Sequence, residues 1–399
     1  MYFSFYSASS PFSYLSSCFL KGGGKQHEKK AVFALMALVL LSGCWDSTNI
    51  EELNMAIGYG LDKGDDGHKL KISMQVLVPQ KIEQESSVKD PTKIIETSGD
   101  SVHQIFRTTT LKSHRIFAQQ LRVYLFSEEL ITENNFDLVI NQFIRDNETR
   151  RGSLVFMTSE KPGDLLKIND DGQPASSTLY DISRNTKSTI RMFKPVSLGD
   201  ISSAMQNNVS FAVPKVGVDQ GKLMLDGASI IKNRRFLTHI SPLAVQSYNL
   251  LTGDGEGGVI EFEYDHSIYS FEIFKLKHNI ETNKTASGKY QFNVSVALEG
   301  RLSEDWNERE NAFNEKYLQE IEGVVERRLE KNVKDFIGEL QHEIKADICG
   351  FYQKASIAYP KDFRKEAKHW DEIFSESDIR YKANVKIRDF GTKGATQSL

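Results

Sequence analysis

Residues alternate in character along 70–79, with Leu70, Ile72, Met74, Val76 and Val78 against Lys71, Ser73, Gln75 and Leu77. A period of two predicts a strand with one buried face. Shorter apolar runs predict further strands at 53–62, 121–126, 153–158 and 209–214. The loop 63–67 between the first two strands reads as a hairpin turn. Between the other strands the period lengthens. Val102, Ile105, Phe106 and Thr109 share one face of a helix over 98–112, with Ser98, Asp100 or Ser101 as cap. Phe136, Val139, Ile140 and Phe143 share a face over 135–145. These spacings predict amphipathic helices. Pro162 suits the first turn of a short helix at 162–168, and 177–188 and 197–207 also read as helical. Strands separated by helices predict a sheet carrying helices.

The pattern changes in the C-terminal half. Residues 224–231 and 235–240 can pair around Asn233. Ser241, Pro242 and Gly253 mark the cap, first turn and exit of a helix over 241–251. Residues 259–262, 268–276 and 290–298 alternate as antiparallel strands. From 310 to 344 an apolar stripe includes Phe313, Tyr317, Ile321, Val325, Leu329, Val333, Phe336, Leu340 and Ile344. That is a helix longer than most in globular proteins. A short helix at 361–373 and a closing strand at 379–387 follow. The expected fold is α+β and multidomain, with mixed or antiparallel sheets each packed with helices, and one long C-terminal amphipathic helix. Polar breaks at 170–176 and 219–222 divide it into a leader and signal (1–43), an N-terminal α/β domain (44–170), a middle region (171–219) that could combine with part of the first, and a C-terminal α+β domain (220–399).

One stretch departs from all of this. Lys29 and Lys30 precede an unbroken apolar run over 31–41, then Leu41-Ser42-Gly43-Cys44, and the chain turns polar at Asp46. A basic head, a short apolar core and small residues before a cut site make a secretory signal peptide. The run is too short to span a bilayer, which takes roughly 20 residues. The tetrad has the form of a bacterial lipobox, in which Cys44 takes a diacylglyceryl group on sulfur and becomes the new N-terminus. A second tetrad ending at Cys18 lacks a basic segment before it, and its upstream run is rich in serine. Residues 1–24 fit no signal; translation from near Lys25, or loss of this leader with the signal, is expected.

Composition narrows the chemistry. The leader carries four lysines and one glutamate, so its removal takes the formal charge from −4 to −7. No long basic stripe remains, which argues against nucleic acid and against electrostatic adhesion to anionic lipid. With Cys18 lost and Cys44 lipidated, Cys349 has no partner in the chain, so the fold stands on packing without disulfides. Catalytic sets are absent: Gly253–Gly258 follows a helix and precedes a strand, the reverse of a phosphate-binding turn, and His342-Glu343 has no second histidine one helical turn on. No cofactor or metal is called for.

The order of short motifs along the chain is more specific than any one of them. Cys44-Trp45-Asp46 is followed by Ile57-Gly58-Tyr59-Gly60-Leu61-Asp62, then Gly99-Asp100-Ser101 and Arg145-Asp146. Leu225-Asp226-Gly227-Ala228, Asp347-Ile348-Cys349-Gly350-Phe351, Tyr359-Pro360, Trp370-Asp371-Glu372-Ile373-Phe374 and Ile387-Arg388 complete the series. In this the chain resembles the Ger(x)C family, the lipoprotein C subunits of nutrient germinant receptors in spore-forming bacteria. Departures are the leader and Phe363, where the family would place tryptophan. The resemblance implies three mixed α/β domains and a non-enzymatic subunit, anchored by lipid on Cys44 to the outer face of the spore inner membrane. Its implied partners are the membrane-embedded A and B subunits of the same receptor; the nutrient is not identified. The competing reading is an extracytoplasmic substrate-binding lipoprotein of an importer, which would show two doubly wound lobes around a ligand cleft.

Overall fold

The computed structural model describes residues 54–78, 91–146, 149–170, 172–306 and 314–390. The signal segment and Cys44, and the Phe313 end of the expected long helix, lie outside them.

The first half is built on one sheet. Its elements in chain order are β1 (Asn54–Lys63), β2 (Leu70–Leu77), β3 (Thr92–Gly99), α1 (Val102–Thr110), β4 (Ile116–Phe117), β5 (Val123–Ser127), α2 (Glu128–Glu133), α3 (Phe136–Arg145), β6 (Leu154–Thr158) and α4 (Pro162–Leu165). A small hairpin, β7 (Asn169–Asp170) with β8 (Gln173–Pro174), leads to α5 (Ala175–Ile182), α6 (Leu198–Gln206), β9 (Phe211–Asp219), β10 (Lys222–Lys232) and β11 (Arg235–Ile240). Nine strands form the sheet in the order β11-β10-β9-β6-β5-β1-β2-β3, with the short β4 also beside β1. β1, β2 and β3 run antiparallel, while β5 and β6 run parallel to β1.

β5 shows why the sheet is covered on both faces. Tyr124 and Phe126 point into the core with Ile105, Val139, Ile140 and Phe143 of α1 and α3. Val123 and Leu125 point the other way, against Leu165, Leu166, Ala175 and Leu179. The glycines of β1 permit that second contact. A Cβ on Gly58 would strike the Ser176 side chain, and one on Gly60 would strike Pro162. Ser176 in turn donates its backbone N–H and its hydroxyl to the buried Gln75 amide oxygen, at 3.0 and 2.6 Å.

Three sequence expectations shift here. Ser98 and Gly99 end a strand, not begin a helix, and Ser101 is the cap, its hydroxyl accepting the Gln104 N–H. The helix expected at 177–188 starts at Ala175 and stops at Ile182. The break at 219–222 is the Gln220-Gly221 hairpin turn, and both strands beside it belong to this same sheet.

The second half continues with α7 (Pro242–Thr252), β12 (Gly258–Tyr264), β13 (Ser267–Lys284), β14 (Tyr290–Asp305), α8 (Glu315–Gly338), a π-helical turn (Glu339–Ile344), α9 (Phe351–Ala358), α10 (Pro360–Glu366), α11 (Trp370–Ser375) and β15 (Asp378–Asp389). The sheet order is β12-β13-β14-β15. β12, β13 and β14 are antiparallel, whereas β15 joins parallel to β14. A parallel neighbour needs a crossover connection, and α8 begins it. Tyr317, Ile321, Val325, Leu329 and Val333 are its buried stripe, four residues apart, which keeps one side on the sheet.

Candidate functional site

Cys44, the residue expected to carry lipid, lies outside the described residues. The Trp370–Phe374 segment is placed: Trp370 and Phe374 are buried and Ile373 packs against the same core. The Trp370 indole N–H donates to Asp347 Oδ2 at 2.8 Å.

Asp347 organises this region. Its buried carboxylate also accepts the backbone N–H groups of Cys349 (3.0 Å), Phe351 (3.3 Å) and Tyr352 (2.7 Å). Those are donors at the start of α9 that the helix itself leaves unpaired. Burial, opposed by the Trp370, Tyr352 and Phe351 donors, pushes the Asp347 carboxyl up to about 6. Burial also raises the Cys349 thiol. The Asp347 backbone N–H reaches Asp371 Oδ1 at 3.0 Å, and the other oxygen of Asp371 accepts from the Ser210 hydroxyl at 2.8 Å, just before β9. A chain of polar contacts thus runs from the helices over the second sheet to a strand of the first. It is a structural joint.

A roomy cleft lies elsewhere, about 730 Å³ between α1, the segment after it and the end of α3. His103, Phe106, Arg107 and Thr110 of α1 face it at helical spacing, and Gln142, Arg145 and Asp146 face it from α3. Phe106 is held in place by Tyr59, 5.6 Å between ring centroids, and edge-on by Phe143 at 6.1 Å. Helical spacing is legible in the sequence but this convergence is not, because α1 and α3 are far apart along the chain. Among the described residues no group of three or more His, Cys, Asp or Glu side chains could hold a metal, and no helix is long and apolar enough to cross a membrane.

Two family matches span nearly the whole of this architecture. "Spore germination protein N-terminal domain" matches residues 46–218, and "Spore germination B3/ GerAC like, C-terminal" matches residues 226–391. The chain belongs to the GerAC-like (Ger(x)C) family of spore germination proteins. Within that family it is 46% identical to Spore germination protein A3 of Bacillus subtilis (strain 168) over 363 residues, 90% of this chain and 97% of the relative. Spore germination protein B3 of the same organism is 32% identical over 369 residues, 91% of this chain and 98% of the relative. The crystal structure of the GerBC protein matches with a TM-score of 0.59 and 30% identity, covering 85% of this chain and all of that one. The mixed α+β fold and the long C-terminal helix are therefore those of a GerAC-like protein, and a role in spore germination follows from the family.

Proposed function

We propose that this chain is the lipid-anchored C subunit of a nutrient germinant receptor. In this reading Cys44 is acylated, the folded part sits on the outer face of the spore inner membrane, and the subunit works by contact with the membrane-embedded A and B subunits. The observation that carries the reading is coverage: relatives of 46% and 32% identity align over almost their full lengths, so the resemblance is to whole germination proteins and not to one shared domain. The Leu41-Ser42-Gly43-Cys44 tetrad supports the anchor. The importer reading predicts two doubly wound lobes, whereas among the described residues β12–β14 are antiparallel.

A lipid anchor suits such a role physically. Holding a protein at the membrane makes its contact with a membrane partner nearly intramolecular, which can raise avidity by roughly 10²–10⁴. The deciding experiment is affinity purification of the tagged chain from spore membranes, followed by identification of what accompanies it. Co-purification of multispanning A and B subunits is expected. A chain recovered alone, at native abundance and in mild detergent, would overturn the proposal.

A further inference from the structure

The cleft between α1 and α3 has the makings of a ligand site that the family role does not use. Its volume lies in the range of small-molecule pockets. Its walls combine two kinds of surface. One is apolar and stiff: Phe106, pinned between Tyr59 and Phe143, with Ile116 beside it. The other is cationic. Arg107 lies in the last turn of α1 and Arg145 ends α3, and neither guanidinium has an ion pair or hydrogen bond among the described residues. Arg115 lines the same cleft, and Asp146 is its one acid, so the lining keeps an excess of positive charge.

Some arginines elsewhere on the surface are paired, while others, such as Arg328 and Arg364, have no ion pair among the described residues. Arg301 binds Glu272 at 2.7 Å and Arg380 binds Asp378 at 2.7 Å. Unpaired guanidinium groups lining one recess present planar, forked donors suited to carboxylate or phosphate. An aromatic floor beside them adds a surface for an apolar group.

We propose that this cleft binds a small organic anion, a carboxylate or phosphate joined to an apolar moiety. Arg107 and Arg145 hold the anionic end, and the ring of Phe106 takes the apolar end. Two sources carry that chemistry: a free metabolite, or the headgroup of an anionic phospholipid. The inference goes beyond the receptor assignment, and its test needs neither A nor B subunit, so its failure would leave that assignment standing.

The test is a titration of the full chain in neutral detergent, followed by ligand-observed NMR and calorimetry. The probes are phenylacetate, inorganic phosphate and monomeric dihexanoyl phosphatidylglycerol, with dihexanoyl phosphatidylcholine as control. Saturable binding of at least one anion is expected, falling as ionic strength rises. Arg107→Gln and Arg145→Gln should each weaken it by about tenfold, as expected for a lost charge-assisted bond. Phe106→Leu should weaken phenylacetate and leave phosphate unchanged. Tighter binding of phenylacetate than of the glycerol lipid identifies a free metabolite, and the reverse identifies a headgroup. No saturable binding of any anion, or binding that both arginine substitutions leave unchanged in proteins of normal melting temperature, would overturn the proposal.

Discussion

Glu326 of α8 accepts the backbone N–H of Val385 in β15, Oε1 to N at 2.8 Å. One helical turn earlier Glu322 takes Ile387, at 2.8 Å, and one turn later Glu330 takes Ala383, at 3.2 Å. Four residues along a helix and two along a strand cover nearly the same distance, about 6 Å against about 6.6 Å. The three glutamates therefore stay in step with every second N–H of a strand that lies at the edge of its sheet. An uncovered edge of this kind is a template for pairing with another chain.

Glu322 is the most buried of the three and also meets Lys386 at 3.3 Å. Glu322→Ala would leave the Ile387 N–H buried without an acceptor. The expected loss is about 1–3 kcal/mol, read as a lower melting temperature. Glu322→Gln keeps an acceptor and should recover part of it. A variant with all three glutamates changed to alanine should also self-associate, which light scattering would detect.

Asp347 gives a stability change with a defined sign. Its folded carboxyl titrates at about 6 and its ordinary value is 3.8, so the folded state holds the proton more tightly than the unfolded chain. Stability from this group is full below pH ~4 and is lost as pH rises through ~6. The gap between the folded and ordinary values corresponds to at most about 3 kcal/mol. Chemical denaturation between pH 4 and 7 should show this decline in the native chain. It should be smaller in Asp347→Asn, whatever that variant's absolute stability.

Gly227 lies in β10 with φ +81°, where a Cβ would collide with the Ile240 carbonyl oxygen. Gly227→Ala combines a left-handed backbone with that clash, and should cost about 3 kcal/mol or more. Gly221, also left-handed but with nothing near its missing Cβ, is the control, and Gly221→Ala should cost visibly less. Thermal melts of the two variants side by side make the comparison.

If the chain is anchored as proposed, Cys44→Ala should abolish acyl labelling and reduce nutrient-triggered germination. Replacing the lipid anchor with an unrelated transmembrane helix should restore much of the response. Germination assays on spores matched for protein level would check both. Full germination with an unanchored form at normal abundance would contradict the tethering argument.

What the sequence reveals depends on the range of the cause. The alternation at Leu70–Leu77 and the Ser241-Pro242-Gly253 punctuation of α7 are local, and both elements stand where the pattern places them. The stripe from Tyr317 onward is equally legible, though its end relaxes into a π-helical turn that closes at the left-handed Lys345. β3 escapes such a reading because Thr92–Gly99, at the sheet edge, alternates only weakly and mixes Lys93 and Glu96 with Ile94 and Ile95. The orientation of β15 cannot be read from alternation, since parallel and antiparallel strands share the same period. The cleft is invisible for a related reason. Arg107 and Arg145 each look like an ordinary basic residue in the last turn of a helix, and only the packing of α1 beside α3 brings them together.

The parallel seam between β14 and β15 also sets an order of events in the life of the chain. All nine strands of the first sheet are in place once residue 240 has been made, because its last strand ends at Ile240. The second sheet has no such freedom. Val294 of β14 must wait for Tyr381, and Leu298 for Val385, across the whole helical crossover. Contacts between residues so distant in sequence form slowly, and domains emerge from synthesis amino-terminal end first. Until the final stretch arrives, the outer edge of β14 stays unpaired and the apolar face of Phe292, Val294 and Val296 lacks part of its cover. A message truncated just before Asp378 would therefore cost far more than one strand: it would leave a finished front half joined to a back half that cannot close, a form that quality-control proteases are built to find.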